Sequence, residues 1–574
     1  MLFLGIYDSS SSSFHQSEIE ELKNAVSRVP EDERNVISRP HFALVTVDFG
    51  TLGGTLFVES DSEKLGLVIG RPYLNIENSA VDASLLIEAL KNGDMNCLSA
   101  VRGSFCGVCF DQKKNSLHLC TDKVGVFPIY IARIGSRVYF SNALRMLKNI
   151  SHIPKQLASE RLFSHLAFGY CLARDTVFSD IDRMYGGEIV EVNESGIHAN
   201  QYWNWDRIES SNYSEEELRE RIYNCFIDAV KIRTESSPGE LSFLSGGLDS
   251  RCIVAALRNI GRQVWTLNFA PEGSQDHLFG RLAADALGAH HYELGLESDD
   301  FSKRQKIILD SWASTNKNWL DQGVKPYRVW SGDGGSVGMG HVYLDDIFVE
   351  ILRKKNVRKA AEYLMEFGKL GIPLGMLRSE MKHQAQNSPI EKMTREIQYF
   401  STQDPAKSGL LFFLLNDQRH HLASYFENLD LYKFEVVLPF FDSNLLELIV
   451  AAPIDGFLNH AFYNKWLEKF GPAISEVPWQ AYPGHVPCPV SIEQYGKLRY
   501  QWNEDWFDKK ENERKRLKDI KAWRIILNDS NFPKNILSEN KLLVAYWITR
   551  LKIRDYKYIL DAAKTVALFT HTEK

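Results

Sequence analysis

Seven residues, Leu244-Ser245-Gly246-Gly247-Leu248-Asp249-Ser250, constrain this chain more than any other stretch, because a strand leads into them and a helix leaves them. Residues 240–244 read as a buried strand, and Ile253, Val254 and Leu257 give the following segment a helical spacing. Two adjacent glycines permit dihedrals that a Cβ forbids and let the backbone come close to an anion. Ser245 and Ser250 add hydroxyl donors, and the amides that open the helix carry the partial positive charge that phosphate favours. Asp249 would repel a bare phosphate, so its presence points to Mg²⁺ bridging carboxylate and phosphates. An ordinary βα turn accounts for small residues here but not for the carboxylate. A Walker A loop would need Gly-x-x-x-x-Gly-Lys-Ser/Thr, and the lysine is missing at this turn.

The surroundings place the turn in an alternating pattern. Ser214-Glu-Glu-Glu reads as an N-cap followed by acids in the first turn, opening a helix through Val230. A strand over 264–269 precedes a helix over 276–287, and such alternation implies a parallel sheet with helices on its faces. Residues 1–150 read differently. Short β-branched or aromatic segments at 42–49, 54–59, 103–111, 116–121, 127–132 and 136–141, separated by turns such as Gly53-Gly54 and Gly135-Ser136, predict a pair of packed antiparallel sheets. The remainder to Lys574 reads mostly as helix, with the charge-dense run at 509–516 as a solvated helix face.

Composition narrows the partners. The 67 basic and 74 acidic residues leave a net charge of −7, which excludes a nucleic-acid protein working through a whole-molecule basic field. A nucleotide would have to be held locally, by a device such as the glycine-rich turn. Eight cysteines in 574 residues are too few for a disulfide scaffold. Cys106 and Cys109 form a C-x-x-C, but no second Cys/His pair stands nearby and the segment alternates as a strand, so a structural role is expected. The pairs His290-His291 and His420-His421 lack metal-ligand spacing on one face, and no zinc is assigned. The first residues lack the basic region and apolar length of a signal peptide, and the most apolar run, 410–415, is far short of a membrane span. A cytoplasmic protein without membrane or nucleic-acid partners is the expectation.

Residues 245–250 resemble the loop of the pyrophosphatase-loop ATPases, which cradles pyrophosphate and splits ATP to AMP. Further segments extend the resemblance to the asparagine synthetase family over most of residues 1–485. Residues 103–111, Asp122-Lys-Val-Gly125 through Pro128-Ile-Tyr130, and Tyr139-Phe-Ser141 resemble that family's glutamine amidotransferase domain. The stretch from Thr176-Val-Phe178 to Gly186-Gly187 and Tyr202 resembles its link to the synthetase domain. Asp276-His277, 287–291, Ser331-Gly-Asp-Gly-Gly335, Leu438-Pro-Phe-Phe-Asp442 and Val477-Pro-Trp-Gln480 resemble its nucleotide-side and later signatures. The loop is the specific motif; the others gain weight together.

The resemblance implies a mixed α/β and α+β architecture. An Ntn-hydrolase-like antiparallel β-sandwich with helices would span 1–205, a parallel-sheet ATP-pyrophosphatase domain 214–490, and a helical extension 491–574. It implies an ATP-dependent, AMP-forming amide ligase that activates a small-molecule or peptide carboxylate for an amine, with ATP and Mg²⁺ as cofactors. Leu244, Ser245, Gly246, Gly247, Leu248, Asp249 and Ser250 would hold the pyrophosphate, with Asp249 on the metal. Leu267, Asn268 and Phe269 would lie beside adenine, Ser331, Gly332 and Gly334 would approach the adenylate, and Asp333 would orient or deprotonate the amine. The amine could be ammonia or belong to the substrate itself, as in β-lactam or lasso-peptide cyclisation, and homodimerisation stays open. An inactive nucleotide-binding homologue is the reading from another class.

Three departures qualify the resemblance. The family's glutaminase uses an N-terminal cysteine whose own α-amine is the base. Here Met1 precedes Leu2 and the first cysteine is Cys97, so glutamine hydrolysis by that route is expected to be absent. Ser336-Val337 stand where the family's second loop has Asp-Glu, which removes a carboxylate that Asp345-Asp346 would have to replace. The stretch 478–488 has no lysine or arginine where the family keeps a lysine after the tryptophan.

Overall fold

Strands that are apolar on both faces need cover on both faces, and that requirement organises the first half of the chain. The computed structural model describes residues 1–50, 56–60, 64–73, 79–235, 237–296, 301–368, 370, 372–500, 521, 523, 533–551, 553–554 and 556–570. The strands β1 (Leu2–Asp8), β2 (Asn35–Arg39), β3 (Phe42–Val47), β4 (Leu56–Ser60), β5 (Lys64–Gly70), β6 (Phe105–Asp111), β7 (Ser116–Thr121), β8 (Tyr130–Ile134), β9 (Arg137–Ser141), β10 (Ile181–Arg183), β11 (Glu188–Asn193) and β12 (Gly196–Gln201) form two antiparallel sheets. Their orders are β10-β8-β9-β1-β3-β2 and β12-β11-β7-β6-β5-β4.

Every residue of β1, β3 and β6 is buried. The odd positions Phe3 and Tyr7 of β1 meet Leu67, Val108 and Phe110 of the second sheet, and Phe42 stacks on Phe110 with centroids 4.7 Å apart. The even positions Leu2, Leu4 and Ile6 meet Ile19, Leu22 and Val26 of the helix Gln16–Val26. On the far side of the second sheet, Val68, Phe105 and Cys109 pack on Leu86 and Leu90 of the helix Ser79–Asn92. The result is a helix–sheet–sheet–helix stack. Cys106 and Cys109, three apart on one strand, fall on opposite faces and pack into different cores.

The second half begins with the helix Glu215–Lys231, whose Ser214–Glu217 capping box is formed as the sequence indicates. A five-stranded parallel sheet follows: β13 (Gly239–Phe243), β14 (Gln263–Asn268), β15 (His290–Glu293), β16 (Arg328–Trp330) and β17 (Glu435–Val437), in the order β15-β14-β13-β16-β17. From β13 the chain winds outward through β14 to β15, then returns to the other side for β16 and β17. That reversal opens a crevice at the carboxyl ends of β13 and β16, the position where open α/β sheets bind ligands. The fold class is the one the sequence indicates: antiparallel sheets first, then a parallel sheet with helices.

Ion pairs join the two halves. Asp442, fully buried, lies 2.8 Å from Arg233 and 3.0 Å from Arg102 of the antiparallel half, and it also caps the helix Ser443–Ala451. Both guanidiniums hold its carboxyl below the usual range against the opposing effect of burial. The signature at 438–442 thus ends in a carboxylate that clamps two modules. The carboxyl-terminal helices Glu539–Arg550 and Lys557–Thr570 pack back on the first module, with Leu542, Leu560, Ala563 and Val566 in one core with Leu2, Leu4 and Ile6. The run at 509–516 lies outside the described residues. No helix among them is long and apolar enough to cross a membrane.

Candidate active site

Two loops meet at the crevice. The first, 244–248, leaves β13 and enters the helix Asp249–Asn259; the second, 331–334, leaves β16 and enters the short helix Gly335–Gly338. They touch because Gly332 and Gly335 carry no side chain. A Cβ on Gly332 would lie 2.7 Å from Ser250 N, and one on Gly335 would lie 2.5 Å from Asp249 Cγ. Ser245, Gly246, Gly247, Leu248, Asp249, Ser250, Ser331, Gly332, Asp333 and Gly334 are therefore brought together.

Within the first loop the serines hold the backbone. Ser245 N donates to Ser250 Oγ at 3.1 Å, Gly247 N donates to Ser245 Oγ at 3.2 Å, and the two hydroxyls are 3.3 Å apart. Gly246 N donates to Asp276 Oδ1 at 3.1 Å. Leu244 N donates to the Leu267 carbonyl at 3.0 Å, and Asn268 bonds the Asp276 carbonyl and Ala270 N, which ties the end of β14 to the loop. Phe269 packs edge-on against Phe243 and Phe301, with the Arg304 guanidinium 5.5 Å from each of the Phe269 and Phe301 ring centres. Burial raises the Asp276 carboxyl, offset by the Gly246 amide and by the charge of Arg304.

Asp249 is the centre of the contact between loops. Its carboxylate accepts from Ser336 N at 3.0 Å, from Ser336 Oγ at 2.9 Å and from the Tyr463 hydroxyl at 2.8 Å. Burial pushes its pKa up to about 6; the Tyr463 and Ser336 hydrogen bonds work the other way, and the charge of Asp333 adds to the rise. No arginine or lysine pairs with it among the described residues. Ser336 thus occupies the place of the expected carboxylate as a donor to the first loop. Asp345 does not replace it; it caps the helix Asp346–Arg353 through Phe348 N and takes the Tyr363 hydroxyl.

Asp333 has its own set of partners. Ser331 Oγ donates to Oδ2 at 2.6 Å, the Tyr425 hydroxyl to the same oxygen at 3.2 Å, and His421 Nε2 lies 3.2 Å from Oδ1. Burial alone would raise the Asp333 carboxyl, but the hydrogen bond and charge of His421 together with the Ser331 and Tyr425 hydrogen bonds outweigh it and hold it below its ordinary value. The same hydrogen bond raises the His421 imidazole.

Arg251, next after Ser250, is fully buried, and among the described residues its hydrogen bonds go to main-chain carbonyls, including Gly247 at 2.9 Å, Val477 at 2.9 Å and Pro478 at 2.9 Å. Gln480 N donates to Gly246 O at 3.0 Å. The signature at 477–480 is thereby a backbone brace for the first loop. His421, Tyr425, Tyr463 and Arg251 were not anticipated as site residues. Tyr463 lies 214 residues from its partner and carries no local motif, whereas Arg251 adjoins the loop.

The fold and the paired glycine-rich loops define a two-module protein of mixed α/β class, with an antiparallel module ahead of a parallel one. Family models agree: residues 75–203 match the glutamine amidotransferase domain and residues 221–313 match asparagine synthase. A Methanocaldococcus jannaschii protein assigned as glutamine-hydrolyzing asparagine synthetase 2 is 23% identical over 301 residues, 49% of this chain and 58% of its own. Glutamine-hydrolyzing asparagine synthetase 3 of Bacillus subtilis is 25% identical over 30% of this chain and 28% of its own, and the amidase chyE of Penicillium rubens 24% over 39% and 35%. By these matches the chain resembles the asparagine synthetase family and is supported as a divergent relative of it. It spans less than two thirds of the length of the curated relatives it matches. The solved glutamine phosphoribosylpyrophosphate amidotransferase of B. subtilis aligns over 64% of this chain and 79% of its own at 12% identity, with a TM-score of 0.26 that carries no weight.

Proposed function

We propose that this chain is an ATP-dependent amide-forming ligase that activates a carboxylate as its acyl-adenylate and passes the acyl group to ammonia or another amine. The observation that supports the reading best is the meeting of the two loops on Asp249: hydroxyls and amides on one side, a second glycine-rich loop on the other, and a buried carboxylate without a cationic partner among the described residues. Hydroxyl and amide donors on a strand–turn–helix suit phosphate oxygens. The Ser245 and Ser250 oxygens accept from Gly247 N and Ser245 N, and their hydroxyl hydrogens can rotate toward an anion while those bonds persist.

Mg²⁺ fits this donor set. Its binding needs only one or two carboxylates when phosphates and water complete the octahedron. A carboxyl raised to about 6 by burial gains from a nearby cation that favours its charged form. Asp249 would hold the ion, and a bound ion would screen the charge that develops on the phosphates.

In the reaction the substrate carboxylate oxygen attacks the α-phosphorus, the bond to the β-phosphate oxygen breaks, and pyrophosphate leaves. The amine nitrogen then attacks the acyl carbon and AMP departs. Residues 245–250 would bind pyrophosphate, the end of β14 at 267–269 would flank adenine, and the loop at 331–334 would face the adenylate. The Arg304 guanidinium, over Phe269 and near Asp276, would supply positive charge at the end of β14. Incubation with ATP, magnesium and a panel of amino acids and short peptides tests the proposal. AMP and pyrophosphate are the expected products; formation of ADP would refute it.

A further inference from the structure

The helix that carries His421 is unusual. Residues Phe413–Gln418 form a π-helical turn that runs directly into the α-helix Arg419–Glu427. π-Turns are rare and occur preferentially at functional sites, because the extra residue shifts the face on which the following side chains emerge. Here the turn precedes a histidine whose ring nitrogen bonds Asp333, on the loop that contacts Ser250 and Asp249.

The hydrogen bonds fix the roles. Asp333 is an acceptor only, so His421 Nε2 carries the hydrogen and Nδ1 keeps a lone pair. Nδ1 makes no hydrogen bond among the described residues, and 54% of the His421 side chain is exposed against 18% for Asp333. Asp333 is itself steadied by Ser331 and Tyr425, and Tyr425 is steadied by Gln305 Nε2 at 3.1 Å. The arrangement is an acceptor nitrogen with a carboxylate behind it and two hydroxyls behind the carboxylate. Such a chain orients an imidazole and stabilises its protonated form.

The charged groups that face His421 are both acidic: Asp333 from the second loop and Asp417 one turn earlier on its own helix. Asp417 accepts from Gln418 Nε2 at 2.7 Å, and the Tyr343 and Tyr170 hydroxyls reach it from neighbouring elements. An amine that arrives as its cation meets negative charge on both sides.

We propose that His421 is the general base of the second half-reaction, with Asp333 its positioning residue and a cationic amine as the class of acceptor. The inference rests on the ligase reading above. The cationic amine first gives one proton to His421 Nδ1, which frees its lone pair, and as that nitrogen bonds to the acyl carbon its second proton passes to water. The carbon–oxygen bond to AMP breaks with its electron pair on the phosphate oxygen, and the imidazolium later releases the proton to water.

The test separates the two half-reactions in the full-length chain. Pyrophosphate exchange into ATP, over the same acid panel, reads adenylation; amide formed from ammonium reads the second step; hydroxylamine, already neutral at neutral pH, reads acyl transfer that needs no base. In His421→Gln the exchange and hydroxamate rates fall no more than about two-fold, while amide from ammonium falls about 100-fold or more, the lower end for a general base. In the unsubstituted protein the amide rate rises with pH through the raised imidazole pKa, and Asp333→Asn moves that limb to lower pH. Amide formation by His421→Gln at the parental rate overturns the base assignment and leaves the ligase intact. Exchange and amide formation lost together make His421 a loop clamp and also overturn it. No exchange by the unsubstituted protein with any acid sinks the ligase reading and the base with it.

Discussion

Tyr463→Phe removes one hydroxyl and leaves a ring of nearly the same volume in a fully buried position. The hydroxyl donates to Asp249 Oδ1 at 2.8 Å, and that bond is among those that keep the carboxyl from rising above about 6. A hydrogen bond to a charged group is worth about 1.5–3 kcal/mol, and one pKa step is about 1.4 kcal/mol, so the loss moves Asp249 up by about one to two steps. At pH 7 a carboxyl with its pKa at about 6 is about nine-tenths ionised; at about 7 to 8 it is half ionised or less. Charged Asp249 is the form that would hold Mg²⁺. Exchange of pyrophosphate into ATP at pH 7 therefore falls about two- to ten-fold, and its acid limb shifts up by about one to two pH steps, with recovery near pH 9. The sign for stability follows. A carboxyl held above its unfolded value favours the protonated fold, so folding stability falls as pH rises from the unfolded carboxyl value to about 6, and the variant extends that fall to higher pH and deepens it. Exchange rates measured from about pH 5 to about pH 9 for both proteins decide the matter. Superimposable acid limbs would refute the argument, because they would mean that the ionisation of Asp249 does not limit the reaction.

Three further substitutions probe the surroundings. Arg251→Met keeps the volume but leaves the Gly247, Val477 and Pro478 carbonyls without their donor, which costs about 3 kcal/mol or more, read as a lower melting temperature together with a raised KM for ATP. An unchanged KM would mean that the brace at 477–480 does not shape the first loop. Arg304→Ala removes the guanidinium over Phe269 and weakens ATP binding about ten-fold by calorimetry, with thermal stability nearly unchanged; equal affinity would remove Arg304 from the nucleotide side. Leu560→Ala empties a fully buried position in the core shared with β1 and costs about 2–5 kcal/mol of stability, seen as earlier thermal unfolding. A variant that melts with the parent would show that the carboxyl-terminal helices do not stabilise the first module.

What was legible in the sequence was what is local. The turn at 244–250 is a contiguous pattern with a strand before it and a helix after it, and all of its parts lie where that reading puts them. The capping box at Ser214 is equally local. β1 was overlooked because all seven of its residues are buried between a second sheet and helices, so it lacks the alternation that marks a strand with one wet face. The hairpin of β11 and β12 was missed too, and β16 and β17, three residues each, are too short to leave a periodic signal. The carboxyl-terminal helices were expected, but their seat on the first sheet depends on contacts more than 500 residues apart in the chain. The partners of the two aspartates were invisible for the same reason: Tyr463 reaches Asp249, and His421 reaches Asp333, only through the tertiary fold.

Ser336 is where sequence and structure together change the argument. As a letter it is a missing carboxylate and so a mark of decay. In the fold its amide and hydroxyl both donate to Asp249, at 3.0 and 2.9 Å. An aspartate at that position would put a second negative charge within hydrogen-bonding range of the first, and two carboxylates so placed cannot both ionise without a cation between them. With serine there, the two loops hold two carboxylates: Asp333, hydrogen-bonded by His421, and Asp249, held by uncharged donors. The charge of Asp249 has no cationic partner among the described residues. On the proposed reading that charge suits a single Mg²⁺ carried in with the phosphates rather than a metal bound beforehand by protein ligands. On that reading serine spares the crevice a second carboxylate beside Asp249 and keeps the one that would meet the phosphates, so the change would retune a nucleotide site without abolishing it.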